Sequence, residues 1–447
     1  MNKDDSTINK FYIKNYGCQM NVSDSEIVSS ILLKNGYSLS ENIKDAKIIF
    51  FNSCSIRKKS ELTIINQLNK FEHLKKNGSL FGMIGCFSKE FKEYLLNKNK
   101  IDFFINPNSY KKIPNIISYR SYKKKNTDFF FDKKKESYDN IYPYKNLYEK
   151  KVTTFLSITR GCNNMCTFCI VPFTRGREIS NNPDFIIKEC TRLYTLGYKE
   201  ITLLGQNVDS YKWKQKNNFV LNFSHLLEKL AKNIPDIRIR FTTSNPHDMS
   251  DDVIEIISKY ENICNHIHLP VQSGSNKILK LMNRKYSKED YLLLINKIRK
   301  IIPNCSISHD IMVGFCNEEE KDHLDTIDLM NKIKYNYGYM FSYSPRPGTY
   351  AYNKLVNNVP DHIKKRRLQE IINLQNKHSL YRMNKFLNKK QKVLIEGSSK
   401  KNNKHWYGRN QQNLVVVFPK NLYTKIGDLV SVKVKRVTSA TLIGYMI

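Results

Sequence analysis

Three cysteines in the segment GCNNMCTFC have the spacing of a metal-cluster loop, C-x3-C-x2-C: Cys162, Cys166 and Cys169, here named the loop triad. Cysteine thiolates bind the irons of a cubane iron–sulfur cluster. A four-iron cubane has four corners, so three thiolates leave one iron open to a small molecule. A closed zinc site would need a fourth ligand, and no His or Cys follows Cys169 within ten residues. The loop therefore predicts a four-iron cluster with one open iron.

A second set of cysteines is dispersed over the first hundred residues. Cys18, Cys54 and Cys86, here named the sheet triad, each follow a predicted strand. Loops at the carboxyl ends of parallel strands lie along one edge of the sheet. We expect these thiols to converge there as a site, although three unrelated buried cysteines would show the same placement. Three of the other cysteines we interpret as structural: Cys190, Cys264 and Cys305.

The elements that position these cysteines indicate an α/β protein of three domains. In residues 1–125 strands and helices alternate, which is typical of an open parallel α/β sheet. Residues 126–147 are charged, Tyr-rich and aperiodic, and we interpret them as a solvated linker. Residues 148–383 carry six strand–helix units, which predict a partial (β/α)6 barrel with its chemistry on the loops after the strands. Residues 384–447 hold five short strands, which predict a small β-barrel.

The composition limits the class of protein. The chain has 447 residues, 40% of them hydrophobic, as expected for two or three globular domains. No apolar run is long enough to cross a membrane and the amino terminus lacks a signal-peptide core, so we expect a cytoplasmic protein without a membrane partner. The net charge of +33 favours a nucleic-acid partner. AT-rich coding sequences favour Lys, Asn, Ile and Tyr, and lysine that accumulates in this way would raise the charge as well.

The loop triad resembles the cluster loop of the radical S-adenosylmethionine (SAM) superfamily, which has an aromatic residue before the last cysteine. Phe168 occupies that position. The resemblance implies that the loop triad ligates a 4Fe-4S cluster whose open iron is chelated by the amino and carboxylate groups of SAM. It also implies that one electron from the cluster releases a 5′-deoxyadenosyl radical, which the protein positions and shields.

The resemblance extends beyond this loop over nearly the whole chain. Eight segments resemble motifs of the methylthiotransferase family of radical SAM enzymes: YGCQMNVSDSE, FNSCSIRKKSE, MIGCF, LLGQNVDSY, RFTTSNPHD, HLPVQSGSNKIL, MNRKYS and YSPRPGT. Within that family, GCQMN is typical of the group that acts on tRNA carrying N6-(dimethylallyl)adenosine. GCPKN is usual in relatives that act on a ribosomal protein. The carboxyl-terminal barrel resembles a TRAM domain, which implies RNA binding.

The resemblance implies methylthiolation at C2 of N6-(dimethylallyl)adenosine next to the anticodon of tRNA. The sheet triad would ligate a second 4Fe-4S cluster that carries the sulfur. Two SAM molecules would be used, one to methylate that sulfur and one to form the radical that abstracts hydrogen from C2. An electron donor and a sulfur- or cluster-supply protein are implied as further partners, and we expect a monomer.

Further site candidates lie in the same motifs. By resemblance, four polar residues border SAM or the substrate, although helix capping explains them equally well: Gln206, Asn207, Gln272 and Ser273. Arg175 and Arg177 are candidates for contacts with SAM or a tRNA phosphate, with simple solvation as the alternative. His266 and His268 alternate on a strand and face the same side, which we interpret as packing and not as metal binding.

One loop departs from the family pattern. Where the family has S-D-x-I-V-G-F-P-G-E, this chain reads SHDIMVGFCNEEE, with Cys316 and Asn317 in place of Pro-Gly. Because the loop follows a barrel strand, we expect an altered turn near SAM or substrate. We interpret Cys316 as a free, partly buried thiol and not as a cluster ligand.

Two alternative functions stand beside this interpretation. The same chemistry could act on threonylcarbamoyl-adenosine of tRNA or on a ribosomal protein side chain, which the GCQMN motif and the positive charge both disfavour. The second alternative is a non-catalytic iron–sulfur protein that binds RNA or senses redox state. The open iron predicted at each cysteine triad disfavours it.

Overall fold

The computed structural model describes residues 9–54, 58–122, 136–146 and 151–447. The described residues form the three domains in the predicted order, with separate hydrophobic cores. No helix in these ranges combines the length and the apolar character that crossing a membrane requires.

The amino-terminal domain is an open parallel sheet covered by helices on both faces. Its strands are β1 (Lys10–Asn15), β2 (Ser38–Leu39), β3 (Ile48–Ser53), β4 (Leu80–Gly85) and β5 (Phe103–Ile105). Its helices are α1 (Gln19–Lys34), α2 (Lys58–Lys70), α3 (Glu72–Lys76), α4 (Lys89–Asn97) and α5 (Ile113–Tyr122), with 3₁₀ turns at Ile43–Asp45 and Tyr110–Lys112. The strand order is β2–β1–β3–β4–β5. The central strand β3 is buried along its whole length because apolar layers cover both of its faces.

The central domain contains the six predicted parallel strands. Its strands are β6 (Thr153–Ser157), β7 (Thr159–Arg160), β8 (Ile179–Ser180), β9 (Glu200–Leu204), β10 (Lys212–Lys214), β11 (Val220–Asn222), β12 (Arg238–Thr242), β13 (His266–His268), β14 (Ser306–Val313) and β15 (Tyr337–Ser342). Its helices are α6 (Val171–Thr174), α7 (Pro183–Thr195), α8 (Phe223–Asn233), α9 (Asp251–Lys259), α10 (Asn276–Leu281), α11 (Lys288–Ile301), α12 (Glu320–Ile333), α13 (Tyr350–Lys354) and α14 (Asp361–Asn384). Strands β6, β9 and β12 form one parallel sheet and β13, β14 and β15 another, and a backbone bridge between Ile239 and Ile263 joins them. This is the predicted partial barrel.

The carboxyl-terminal domain is the predicted small barrel. Its strands are β16 (Lys390–Ser398), β17 (His405–Arg409), β18 (Val415–Pro419), β19 (Leu429–Val437) and β20 (Thr441–Met446). They close in the order β16–β17–β18–β20–β19, so no strand edge is left open. Alternate residues such as Val393, Ile395, Val432 and Val434 are fully buried inside. Period-two alternation thus predicted these strands correctly.

The described part of the predicted linker packs against the protein. The Tyr144 N–H donates to the Glu26 carbonyl in α1, and the Lys145 ammonium pairs with the Glu26 carboxylate. Tyr138 is buried and its hydroxyl donates to the Pro107 carbonyl at 2.7 Å. The expectation of a solvated linker is therefore wrong for residues 136–146, because tyrosine rings supply apolar surface within a polar composition. Residues 126–135 and 147 of that linker lie outside the described ranges.

Two buried arginines of β12 fasten the small barrel to the central domain. Arg240 donates to the carbonyls of Asn410 and Gln411 at 2.7 and 3.0 Å, and Arg238 donates to the Arg409 carbonyl at 3.0 Å. The Glu200 carboxylate lies 2.9 Å from Arg240 Nε and compensates the charge. The three charged residues are almost fully buried, so the contact is strong only while all of them are present.

Replacing Arg240 by Met should release the small barrel. The change removes two bonds to the barrel backbone and leaves Glu200 short of a partner, which costs about 3–5 kcal/mol. The undocked population should then rise more than about a hundredfold, measured as the rate of proteolysis of the segment 385–389.

The matched control is Lys232→Met. Lys232 pairs with Glu228 at 3.0 Å on the exposed face of α8, where water and salt screen the pair and it contributes little to stability. Its cleavage rate should stay close to that of the unchanged protein. Equal rates for both variants would show that the arginine–carbonyl contacts do not hold the barrel.

Candidate active site

The loop triad lies in a folded turn between β7 and α6. Gly161 enters the turn with φ +78°, and a Cβ there would lie 2.4 Å from the Arg177 carbonyl oxygen, so only glycine fits. The Cys162 N–H donates to the Gly176 carbonyl at 3.2 Å, and the Cys169 N–H donates to the Cys166 carbonyl at 3.0 Å. These bonds bring the two ends of the turn together around the three thiols.

The thiols of the loop triad are close enough to influence one another. Burial, together with the nearby Cys166 and Cys162 thiols, raises the pKa of Cys169 to about 12. Burial is also the main cause that raises the pKa of Cys162. Thiols with raised pKa values stay protonated unless a cation replaces the protons, as the irons of a cluster do.

Arg284 holds the loop triad from the neighbouring segment. Its Nη1 donates to Cys166 Sγ at 3.4 Å, its Nε to the Tyr286 hydroxyl at 2.8 Å, and its Nη2 to the Pro270 carbonyl at 2.9 Å. The Asn283 side chain donates to the Met165 carbonyl at 3.0 Å. The sequence interpretation missed this role of Arg284, although the MNRKYS motif that contains it was the available signal.

The sheet triad converges at the carboxyl edge of the amino-terminal sheet, as predicted. Cys18 is the residue before α1, and Cys54 and Cys86 follow the neighbouring strands β3 and β4. A hydrogen bond from the Cys54 thiol lowers the pKa of Cys18 to about 6; desolvation opposes this shift and the Arg175 charge adds to it. Burial raises the pKa of Cys86, against the Arg175 charge and a Thr174 hydrogen bond.

Two asparagines fix the turn beneath the sheet triad. Asn21 Nδ2 donates to Asn52 Oδ1 and to the Ser53 carbonyl, both at 2.6 Å, and Asn52 Nδ2 donates to the Asn21 carbonyl at 2.7 Å. The Cys18 thiol donates to Asn21 Oδ1 at 3.3 Å. These fully buried amides set Cys18 against the end of β3. Sequence reasoning missed both, although each asparagine lies within three residues of a triad cysteine.

Both triads fit a cubane cluster. The ten cysteines all lie in the described ranges and form no disulfide. Among the described residues, no group of three or more His, Cys, Asp or Glu side chains is arranged around a single metal ion. A cubane has a different requirement, because each thiolate binds its own iron and the thiols stand further apart. Each triad brings three thiols close enough to act on one another's pKa, which agrees with that requirement.

The segment after the loop triad forms a wall of the sheet triad. Helix α6 begins two residues after Cys169, and Thr174 at its end is the residue that hydrogen-bonds Cys86. Arg175 follows and acts electrostatically on both Cys18 and Cys86. The two triads therefore lie on either side of one short helix.

The predicted amides Gln206 and Asn207 lie beside the loop triad. Asn207 Nδ2 donates to Asp248 Oδ2 at 2.6 Å, and Asn164 of the triad loop donates to the same oxygen at 3.4 Å. The side-chain oxygens of Gln206 and Asn207 are buried without a hydrogen-bond partner, so each can accept from a bound molecule. Helix capping does not explain these residues, because the next helix is capped by Asn222. Sequence reasoning missed Asp248, which lies in the RFTTSNPHD motif.

The other two predicted polar residues make contacts within the fold. Gln272 has φ +71°, and its backbone bridges to β14 through Asp310 and Met312 at 2.9 Å. Ser273 is buried; its hydroxyl accepts from the Ser275 N–H at 3.2 Å and lies 3.4 Å from the Thr326 hydroxyl. The structure thus favours the structural interpretation of Ser273 over contact with a cofactor.

The two predicted arginines differ from one another. Arg175 is 4% exposed and pairs with Asp24 at 2.9 Å, so the structure favours a structural partner for it over a tRNA phosphate. Arg177 is exposed and stays a candidate for substrate contact. His266 and His268 face the same side and share the Ser308 hydroxyl at 3.0 and 2.9 Å, which agrees with packing.

The loop SHDIMVGFCNEEE, which departs from the family pattern, packs beneath the loop triad. Cys316 is fully buried in an apolar cluster with Phe315 and Tyr343, and Phe168 contacts that cluster with its ring 6.3 Å from that of Phe315. Asn317 has φ +60° and takes the left-handed turn that glycine would otherwise occupy. Its N–H donates to the Asn358 side chain at 2.9 Å. The exchange of Pro-Gly for Cys-Asn therefore keeps a turn here, and Cys316 is a free thiol that is fully buried, where partial burial was expected.

Three family models match the chain. The model described as the radical SAM superfamily matches residues 156–330 and contains the loop triad. The model described as uncharacterized protein family UPF0004 matches residues 10–106 and contains the sheet triad. The TRAM domain model matches residues 385–447.

Solved structures with a similar fold are radical SAM enzymes. TsrM, a radical S-adenosylmethionine methyltransferase from Kitasatospora setae, has a TM-score of 0.57 and 10% identity over 77% of each chain. OxsB, a cobalamin-dependent S-adenosylmethionine radical enzyme, has a TM-score of 0.55 and 13% identity over 81% of this chain and 57% of its own. At these identities the likeness shows the fold alone.

Curated relatives are far more similar in sequence. A tRNA-2-methylthio-N(6)-dimethylallyladenosine synthase from Karelsulcia muelleri is 56% identical over 97% of this chain and 98% of its own length. A protein of the same name from Christiangramia forsetii is 50% identical over 97% of this chain and 93% of its own. With this identity over nearly its full length, and with both cysteine triads inside matched domains, the chain belongs to the tRNA-2-methylthio-N(6)-dimethylallyladenosine synthase family of radical SAM proteins.

Proposed function

We propose that the chain attaches a methylthio group to C2 of N6-(dimethylallyl)adenosine next to the anticodon in tRNA, using two SAM molecules. One observation carries the proposal: Thr174 and Arg175, at the end of the radical SAM cluster loop, act directly on Cys86 and Cys18 of the other triad. Sulfur transfer to a substrate radical requires two such sites on one cavity. The names of the relatives agree with this activity.

Each triad would hold one 4Fe-4S cluster by three thiolates. When bound, the cluster on the loop triad supplies the electron for SAM cleavage and the cluster on the sheet triad carries the sulfur. Arg284 keeps Cys166 in place by a direct hydrogen bond, and Asn21 does the same for Cys18. Both bonds come from residues outside the cysteine pattern.

Asp248 organises the proposed SAM pocket. It accepts from Asn207 and from Asn164, so it fixes the triad loop relative to the end of β9. The free oxygens of Gln206 and Asn207 would accept from the ammonium or ribose hydroxyls of SAM. The carboxylate also favours a ligand that carries a positive sulfonium. These contacts hold SAM without any chemical step by the protein.

A basic groove supports tRNA as the partner. It encloses about 580 Å³ between the central domain and the small barrel. Its lining has a single carboxylate, Glu261, against five cations: Arg382, Lys385, Lys389, Lys390 and Lys392. Such a groove attracts a phosphate backbone. The proposed cycle also needs an electron donor and a sulfur- or cluster-supply protein, with the enzyme acting as a cytoplasmic monomer.

The proposed activity is tested by anaerobic reconstitution with iron, sulfide, SAM and prenylated tRNA. Mass spectrometry of digested nucleosides should show 2-methylthio-N6-dimethylallyladenosine, together with 5′-deoxyadenosine. Unprenylated tRNA and threonylcarbamoylated tRNA serve as comparison substrates and should stay unthiolated. Thiolation of the latter, or 5′-deoxyadenosine without any thiolated nucleoside from the prenylated tRNA, would contradict the proposed substrate.

Single cysteine replacements should separate the two proposed sites. Cys54→Ala should lose one cluster's iron and nucleoside thiolation but keep SAM cleavage, because the loop triad is intact. Cys166→Ala should lose SAM cleavage and thiolation together. Iron analysis and product mass spectrometry measure both effects.

Cys264→Ala controls for the loss of a buried thiol. Cys264 is 1% exposed and belongs to neither triad, so its replacement should keep the full iron content and both products. A Cys54→Ala protein that still thiolates tRNA would rule out the sheet triad as the sulfur site.

Removing groove charge should weaken tRNA binding in a salt-dependent way. In the triple variant Lys385→Gln, Lys389→Gln and Lys392→Gln, the slope of log affinity against log salt should fall by roughly two to three. Filter binding of the full-length protein at several salt concentrations measures the slope. Each lysine is exposed, so the fold should be unaffected.

A second triple variant removes the same charge from another surface. Lys76 and Lys89 lie on helices of the amino-terminal domain and Lys98 directly follows α4. All three are exposed, and their replacement by Gln should leave the slope nearly unchanged. Equal losses in both variants would mean that the net charge, and not the groove, attracts the RNA.

A further inference from the structure

The contact between the amino-terminal and central domains contains an excess of positive charge. Asp24 of α1 is fully buried, and the guanidinium groups of Arg160 and Arg175 both pair with it. The two arginines are 7% and 4% exposed. One carboxylate therefore faces two cations, and a buried charge without a counter-charge is costly.

Arg160 and Arg175 have different surroundings. The Arg160 guanidinium stacks on the Tyr138 ring, 4.4 Å from its centroid, and lies 5.9 Å from that of Tyr110. The ionisable groups that act on Arg175 are Asp24, Cys86, Tyr110 and Cys18. Tyr110 is held neutral, because burial raises its pKa well above the usual value. The other groups that act on Arg175 are the Cys86 and Cys18 thiols of the sheet triad.

Arg175 also has an unused donor. Its Nη1 is buried and has no hydrogen-bond partner. Leaving a buried donor unsatisfied costs about 1–3 kcal/mol, so such groups usually face an acceptor. The Cys86 and Cys18 thiols act electrostatically on the Arg175 guanidinium, which places this donor beside the sheet triad.

We infer that Arg175 is a positioning residue of the sulfur site, donating from the central domain to the anionic sulfur at Cys18, Cys54 and Cys86 while Asp24 orients it. The inference rests on the proposed function in taking the sheet triad as a cluster site. The site is then complete only when the two domains are docked. Docking supplies the positive charge that stabilises a reduced, more negative cluster.

The reduction potential of that cluster tests the inference. In full-length protein carrying Cys166→Ala and Cys169→Ala, only the sheet triad can be loaded, and a redox titration followed by electron paramagnetic resonance reports its midpoint. Adding Arg175→Met should lower the equilibrium constant for reduction of the cluster at least about tenfold. For a one-electron reduction this lowers the midpoint potential by about 59 mV. Adding Asp24→Asn should shift the midpoint the opposite way, because it removes a negative charge.

Two further variants separate charge from packing. Arg175→Lys keeps the charge, so its midpoint potential should stay near that of the parent Cys166→Ala, Cys169→Ala protein. It can still be measured if Arg175→Met fails to fold. Arg160→Met removes the other partner of Asp24 and should shift the midpoint less than Arg175→Met. Unmoved midpoints in Arg175→Met and Asp24→Asn, with a normal cluster signal, would overturn the inference. A parent protein that binds no cluster at the sheet triad would instead overturn the proposed function.

Discussion

A buried carboxylate holds the two cysteine triads in one place. Asp24 lies fully buried in the first helix of the amino-terminal domain, and its partners Arg160 and Arg175 belong to the central domain. Removing Asp24 would leave two buried guanidinium groups without a counter-charge, which is costly in a medium of low dielectric constant. This contact therefore sets how the two domains meet, and with it the short helix that lies between the triads.

Each triad contains a thiol that resists ionisation and has an arginine from a distant segment beside it. Burial raises the pKa of Cys169 and of Cys86, so these two thiols favour the neutral state, whereas the Cys54 hydrogen bond lowers the pKa of Cys18 to about 6. Arg284 donates to Cys166, and Arg175 lies beside Cys86 and Cys18. Positive charge held in a low-dielectric site favours the anionic state that metal binding requires.

The basic groove and the proposed reaction site lie at opposite ends of the barrel strands. Groove residues Glu261, Asn304 and Asn336 precede β13, β14 and β15, whereas the loop triad and Gln206 follow strands. Electrostatic attraction to the phosphate backbone of RNA acts over long distances, whereas a reaction at a base requires direct contact. An extended RNA can therefore gain affinity at one end of the domain while its reacting base occupies the other.

The sequence by itself determined the class of fold, the two triads and the family. Strand alternation, helix periodicity and the C-x3-C-x2-C spacing are local patterns, and Cys18, Cys54 and Cys86 could be grouped because each ends a parallel strand. Only the tertiary structure decided the polar partners: Asp24 with Arg175, Asn21 with Asn52, and Arg284 with Cys166, the last pair 118 residues apart. Local patterns cannot specify such pairs, because a buried polar group acquires its partner only when separate elements pack together.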